Sequence, residues 1–401
     1  MNVVTKITRA CVIAAACVSL APVLNSPLAA DAIDPTLKVM ISRTNQNVIL
    51  SWPGSNAVPY QVQSSADFTW TNVSLVLTGA GGSLSFTNPV NASGRSFFRV
   101  KKIVAISAVF DPGKGILTVT GNELDNSIII SRDGAGTILV NNGVVPVTGG
   151  TATVANTVLV EVFGRAGNDQ ITMDQSGGPL PSGHLFGEEG ADVLTGSSAV
   201  DQLFGGPGPD TLNGRAGNDF LDGGADNDTF VWSPGDGSDT LEGQGGNDVL
   251  VFNGSNVSET IDLSANGARL RLARNVANIV MDINGVEQVT VNALGGADTL
   301  TVNGLAGTAV TLVNLDLAGT LGGTTGDAQA DAVILNGTAA ADTFNITASA
   351  GAVNISGITP SLHITHSEVA NDSLTVNGLA GIDTFSIGSG VTSLILVAAN
   401  Q

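Results

Sequence analysis

Cysteine is nearly absent from this chain: its 401 residues hold two, Cys11 and Cys17, both close to the start. Once a leader covering them is removed, no disulfide can form, so the fold must be held by other means. Aromatic residues make up 4% of the chain, and 15 Lys and Arg face 35 Asp and Glu for a formal net charge of -20. So acidic a protein repels nucleic acid and anionic membrane surfaces, and neither is expected as a partner. Long apolar runs are lacking as well, apart from 10–24. Three histidines, His184, His363 and His366, form no His-Glu-x-x-His zinc motif, and on a strand His363 and His366 would point to opposite faces. No Gly-x-Ser-x-Gly nucleophile motif occurs, and the nearest string, SIGSG at 386–390, has the wrong spacing. With no catalytic signature, a non-enzymatic protein is expected. What the chain does have is 43% hydrophobic residues and 51 glycines, which point to an ordered fold with many tight turns.

Lys6 and Arg9 precede the apolar run, and small-residue cleavage strings follow at 28–30 (LAA) and 30–32 (ADA). This is the pattern of a secretory signal peptide over 1–30. The run falls short of the roughly 20 residues a membrane span needs, and Pro22 and Pro27 interrupt its end. The mature protein is therefore expected to be soluble and extracellular, with no transmembrane segment.

Charge divides the remainder. Residues 36–102 hold six basic residues (Lys38, Arg43, Arg95, Arg99, Lys101, Lys102) against Asp67 alone, whereas 103–401 carry a net -25. Such asymmetry marks separate domains, with the boundary near Lys102. The strings NVILSWP (47–53), YQVQSSADFTW (60–70) and FFRV (97–100) read as short strands with turn punctuation, a small antiparallel sandwich in which Trp52 and Tyr60 are core. They resemble a fibronectin-type-III-like module of secreted bacterial proteins.

A nine-residue register holds without a break through GEEGADVLT (187–195), GSSAVDQLF (196–204), GGPGPDTLN (205–213), GRAGNDFLD (214–222) and GGADNDTFV (223–231). Every unit has Gly first, Asp sixth and Leu or Phe eighth. After Trp232 and Ser233 the register resumes as PGDGSDTLE (234–242) and GQGGNDVLV (243–251), and GRAGNDQIT (164–172) stands upstream. Glycines at the first and fourth positions suit a tight, positive-φ turn, the sixth-position carboxylate supplies a charged oxygen, and the eighth residue faces the interior of a coil. Oxygen-only ligands suit Ca2+. The candidate calcium ligands are the sixth-position Asp169, Asp192, Asp201, Asp210, Asp219, Asp228, Asp239 and Asp248. Around them turn Gly187, Gly190, Gly196, Gly205, Gly208, Gly214, Gly217, Gly223, Gly243 and Gly246.

Two units make one turn of a parallel β-roll, so residues 18 apart become neighbours in stacked strands. One flank then carries Asp192, Asp210 and Asp228, the other Asp201 and Asp219. If Trp232 and Ser233 loop out, Asp239 and Asp248 extend these ladders; otherwise the bulge ends them. Like charges about 5 Å apart repel by roughly 3 kcal/mol at an effective dielectric near 20, so the metal-free roll should be loose and calcium should fold it. Simple Gly-x-Asp turns between strands are the plainer alternative. The unbroken register and the net -13 over 163–252 favour calcium. Ala199 and Asp226 replace the fourth-position glycine, Glu188 the second and Pro234 the first, which weakens those sites.

Beyond residue 252 a longer repeat emerges, VTVNALGGADTL (289–300) matching LTVNGLAGIDTF (374–385) at an offset of 85 residues, with a further relative from Asn126 to Ile171. Asp298, Asp342 and Asp383 sit in degenerate turns and are expected to be turn residues before ligands, and Asn126 takes an aspartate's place. The stretch from about 115 to 395 resembles the bacterial RTX, hemolysin-type calcium-binding repeat family. That resemblance implies extracellular calcium binding through Asp192, Asp201, Asp210, Asp219 and Asp228. The expected fold is all-β: a signal peptide (1–30), a small β-sandwich (36–102), a β-rich unit (103–162), a parallel calcium-binding β-roll (163–252) and β-rich degenerate repeats (253–401). Three functions are compatible with it. They are a structural or interaction scaffold, an adhesin holding extracellular polysaccharide or a cell surface through its basic module, and a calcium-dependent polysaccharide-active enzyme. The chain stops abruptly, as a truncated copy of a longer relative would.

Overall fold

The computed structural model describes residues 105–401 throughout and, before them, the backbone of eight strands from Ala15–Val18 to Ser96–Lys102. Met1–Ala105 and Ile106–Gln401 are two compact units, dividing next to the charge boundary at Lys102. In the first, Met40–Thr44, Asn47–Pro53 and Ser83–Pro89 form one sheet. In a second sheet, Ser96–Lys102 pairs with Pro59–Ser65 and with Ala15–Val18. Every pairing is antiparallel. Leu50, Tyr60 and Val62 are buried, so Tyr60 is core. The side chain of Trp52, the six basic side chains and the rest of the expected leader lie outside the described residues.

From Ile106 onward the chain winds between two long sheets, one of 15 strands and one of 13, which are largely parallel. Each nonapeptide supplies one strand and crosses to the other sheet at its glycine turn. Gln202–Pro207 therefore lies in the first sheet, Thr211–Asn213 in the second and Phe220–Ala225 in the first again. Leu185 pairs with Leu203 and Leu194 with Leu212, the expected 18-residue step. The eighth-position side chains Leu194, Leu203, Leu212, Leu221, Phe230, Leu241 and Leu250 are at most 2% exposed. They form aliphatic ladders that pack the two sheets together, the period-2 alternation of strands buried on one face. A single core runs from Ala108 to Ile395 without a break at 162 or 252. The insertion is absorbed without Trp232 looping out: Trp232 stays in its strand, 1% exposed and paired with Phe252, while Leu221 pairs with Leu241 and Phe230 with Leu250, 20 residues apart, so the coil geometry survives.

Two antiparallel meanders interrupt the parallel order. Thr260–Asn266, Arg269–Arg274 and Ile279–Asn284 fold back and forth in the first sheet, and Thr343–Ser349, Ala352–Ser356 and Ser361–Thr365 do so in the second. The 85-residue repeat is thus realised on opposite faces, since Gln288–Asn292 lies in the second sheet and its counterpart Ser373–Asn377 in the first. The repeat spans an odd number of strand crossings, so equivalent segments swap sheets. At the start, Ser107–Asp111 and Ile138–Val140 cover the two sheets with antiparallel pairings.

Leu212 is fully buried, whereas Val193 is 40% exposed one strand away. Leu212→Ala should destabilise the calcium-loaded protein by about 2–5 kcal/mol, and Val193→Ala by no more than about 0.5 kcal/mol. Urea unfolding of both variants checks this, and equal costs would contradict the interior placement of the eighth position.

Candidate metal centre

The sixth-position residues stack into two ladders along the flanks where the chain crosses between sheets. On one flank each backbone N–H donates to the carboxylate of the next coil: Asn126 to Asp169 (2.7 Å), Asp169 to Asp192 (2.7 Å), Asp192 to Asp210 (2.7 Å), Asp210 to Asp228 (2.8 Å) and Asp228 to Asp248 (2.8 Å). Asp248 donates in turn to Glu287 (2.8 Å). On the other flank the order is Gly183 to Asp201 (2.6 Å), Asp201 to Asp219 (2.8 Å) and Asp219 to Asp239 (2.9 Å), ending where Asp239 meets the Met281 sulfur at 3.4 Å. Asp239 and Asp248 therefore extend the ladders past the insertion. Asp169 and Asp248 have a partner on both sides, whereas Asp239 is followed by a thioether because the first meander intervenes.

Each bond uses one carboxylate oxygen, Oδ1. The other, Oδ2, is buried without a hydrogen-bond partner in Asp169, Asp192, Asp210, Asp219, Asp228 and Asp248. The eight ladder aspartates are no more than 4% exposed. An unpaired buried carboxylate oxygen costs several kcal/mol unless a cation meets it. Asp201 differs, because Ser197 N–H closes its Oδ2 at 2.5 Å. The flank from Asp169 to Asp248 thus has an open oxygen at every step, while of Asp201, Asp219 and Asp239 on the other flank only Asp219 has one.

The glycines explain why nothing else can fill the space. A Cβ on Gly205 would lie 2.2 Å from Asp210 Oδ2 and 2.5 Å from the Gly223 carbonyl oxygen. Gly187 repeats this against Asp192 and the Gly205 carbonyl; Gly196, Gly214, Gly223 and Gly243 also face their own aspartates. The expectation of positive φ at the first position is corrected here: these six glycines have none, and their role is to let the carboxylate and the neighbouring carbonyl approach. Left-handed backbone falls instead at the fourth position (Gly190, Gly208, Gly217, Gly246) and at the second, where Glu188, Arg215 and Gln244 adopt it despite their side chains. No group of three or more His, Cys, Asp or Glu side chains among the described residues is arranged to hold a metal. Each step instead pairs a single open carboxylate oxygen with backbone carbonyls, an all-oxygen donor set that fits a hard cation such as Ca2+.

Burial strips water from these carboxylates and pushes Asp219 up to about 8, Asp169, Asp210, Asp228 and Asp239 to about 7, and Asp248 to about 6. Asp192 and Asp201 are raised for the same reason. Desolvation outweighs the mutual repulsion expected from the spacing. At Asp210, for instance, the charges of Asp192 and Asp228 add less than burial does.

Two sheets wound into a parallel roll, with buried oxygen ladders on their flanks, define a class of protein built to hold hard divalent cations between its coils. Residues 184–212, 195–230 and 235–256 match the family model of the RTX calcium-binding nonapeptide repeat (4 copies). This stretch of the chain is built of RTX, hemolysin-type calcium-binding repeats. A search of the curated proteins finds no match. The match covers every expected ligand except Asp169, which the ladder places directly before Asp192.

Downstream, the structure joins Asp298, Asp342 and Asp383, read above as turn residues, with Glu259, Asp331 and Asp372, which motif reading passed over. Glu259, Asp298, Asp331 and Asp372 form a further ladder at 2.7, 2.8 and 3.1 Å, and Asp342 donates to Asp383 at 2.9 Å. Asp298 and Asp383 also keep an open, buried Oδ2. Gly254, Gly326, Gly337 and Gly378 keep the first position before Glu259, Asp331, Asp342 and Asp383, whereas Ala293 and Ser367 replace it before Asp298 and Asp372, and an acid two residues before a buried aliphatic, as in Asp331 and Val333 or Asp372 and Leu374, marks turns of this kind. His363 and His366 have separate partners, Asn354 and Asp316.

The raised carboxylates fix the sign of the pH dependence. A group whose folded pKa lies above its unfolded value stabilises below the unfolded value and loses that contribution as pH rises through the folded one. The calcium-free protein should therefore lose stability between about pH 4 and about pH 8, and calcium affinity should rise over the same window as protons leave. Urea midpoints in chelator at pH 5 and pH 8 check this; a higher midpoint at pH 8 would contradict it. Gly205→Ala should impair calcium binding as strongly as Asp210→Ala, measured by calorimetric titration.

Proposed function

We propose that this protein is exported and acts outside the cell as a non-enzymatic scaffold whose roll becomes rigid on binding calcium. The observation that carries the reading is the row of open, buried Oδ2 atoms from Asp169 to Asp248. Each lies beside a first-position glycine and the carbonyl of the next coil, so a cation there neutralises the carboxylate and ties two coils together. Calcium, when bound, supplies the positive charge; the chain's residues supply the oxygens and exclude water. Millimolar calcium outside cells suits sites built mainly from neutral carbonyls, and the charged, apolar leader at 1–30 supports export. No helix among the described residues is long and apolar enough to cross a membrane.

A calcium titration followed by far-UV circular dichroism and heat of binding, with magnesium as control, tests this reading. A calcium-specific gain of β structure, abolished by Asp210→Ala together with Asp219→Ala, is expected. No difference between calcium and magnesium, or a full β spectrum in chelator at pH 8, would contradict it.

A further inference from the structure

The turn at 254–259 stands where a nonapeptide turn would stand, at the end of the matched repeats. Gly254 takes the first position, Glu259 the sixth and the buried Ile261 the eighth. Glu259 N–H donates to Asp298 Oδ1 at 2.7 Å, and its carbonyl accepts Thr299 N–H at 2.8 Å, the two bonds that the ladder aspartates other than Asp239 make. A Cβ on Gly254 would meet the Ala293 carbonyl oxygen at 2.6 Å and Glu259 Oε2 at 2.9 Å. The same pair of oxygens, the turn's own carboxylate and the next coil's first-position carbonyl, converges at the calcium repeats.

Two things differ: Ser255 N–H donates to Glu259 Oε2, the oxygen beside Gly254, at 3.3 Å, as Ser197 N–H closes Asp201, and the other oxygen, Oε1, accepts from Ser255 Oγ and from an arginine. Arg274 lies against Glu259, with Nε donating to Oε1 at 3.0 Å and Nη2 donating to the same oxygen. The guanidinium also donates to Ser255 Oγ at 3.0 Å and to the Val276 carbonyl at 3.3 Å. Its centre sits 5.3 Å from the Trp232 ring, which stacks on Phe252 at 4.2 Å. Arg274 is 4% exposed and Glu259 2%. Arg274 ends the middle strand of the first meander, an element the nonapeptide coils lack. A planar, permanently charged donor fork is well matched to a carboxylate flanked by a hydroxyl and a carbonyl, and the aromatic face adds cation–π attraction.

We propose that the 254–259 turn is a cation seat whose positive charge is supplied by the chain's own Arg274 guanidinium at Glu259 Oε1, so that the coil following the calcium repeats is clasped without calcium. The proposal rests on the calcium reading for the neighbouring turns. It assigns a structural reason to the first meander: it delivers a side-chain cation where the metal ladder stops.

Hydrogen exchange of the whole protein, in calcium and in chelator, tests it. In chelator, amides of 187–250 should exchange about a hundredfold faster or more, while those of 255–275 and 299–302 keep their protection. Arg274→Gln opens the seat: protection of 255–275 becomes calcium-dependent, and one additional calcium ion binds per chain. Arg274→Lys, which keeps the charge, should retain calcium-independent protection and the wild-type stoichiometry. Loss of protection at 255–275 in the wild-type protein on chelation would overturn the proposal. So would an Arg274→Gln protein that opens equally with and without calcium, or an additional ion in Arg274→Lys. If amides of 187–250 ignore calcium, the calcium reading fails instead, and the clasp still stands or falls on 255–275.

Discussion

From Asp169 to Asp248 each coil of this roll repeats one hydrogen bond, from the backbone N–H of a sixth-position residue to a carboxylate on the next coil. That bond fixes the register between coils, but it uses half of each carboxylate. The remaining oxygen is buried where water cannot reach it, so the same contact that orders the roll also creates an electrostatic deficit. The aliphatic ladders hold the two sheets together, yet they cannot repay a buried unpaired charge. The fold can be completed in two ways, by protonating the carboxylates or by inserting a cation. The raised pKa values of the ladder aspartates express the first, and the all-oxygen surroundings suit the second.

The meanders show how the chain changes this rule. The first pushes Met281 into line after Asp239 and ends one ladder, then restarts it at Glu259 with an arginine in attendance. The second separates Glu287 from the pair of Asp342 and Asp383 on the opposite flank. Because each meander adds two antiparallel strands and then returns to the parallel course, the core stays continuous while the flanks are divided into blocks. The division into a calcium-rich centre and sparser outer blocks therefore lies on the surface turns and not in the hydrophobic core.

The register of Gly, Asp and Leu was readable because those positions have fixed physical duties: room for a carboxylate, a ladder acceptor and an interior side chain. The same reading placed Leu212 over Leu194 and Asp228 over Asp210. It missed the reason for the first glycine, since close approach and positive φ leave the same mark on a sequence; only the backbone angles separate Gly205 from Gly208. It also passed over Asp331 and Asp372, whose turns have lost the fourth-position glycine but retained the bonds. Arg274 was illegible for a different reason. It reaches Glu259 across 15 residues and an antiparallel strand, and nothing in local spacing foretells that meeting. Asp201 stood among equals in the sequence, yet Ser197 closes its spare oxygen, a detail set by one serine where other units carry a left-handed residue.

The central claim is that calcium sits between coils at the open carboxylate oxygens. Crystals grown in calcium, with anomalous scattering used to locate the ions, test it most directly. The account predicts peaks beside Asp210 Oδ2 and the Gly223 carbonyl, repeating coil by coil along the flank from Asp169 to Asp248. Ions found only at exposed acids such as Glu189 or Asp226, with the buried flank empty, would contradict it.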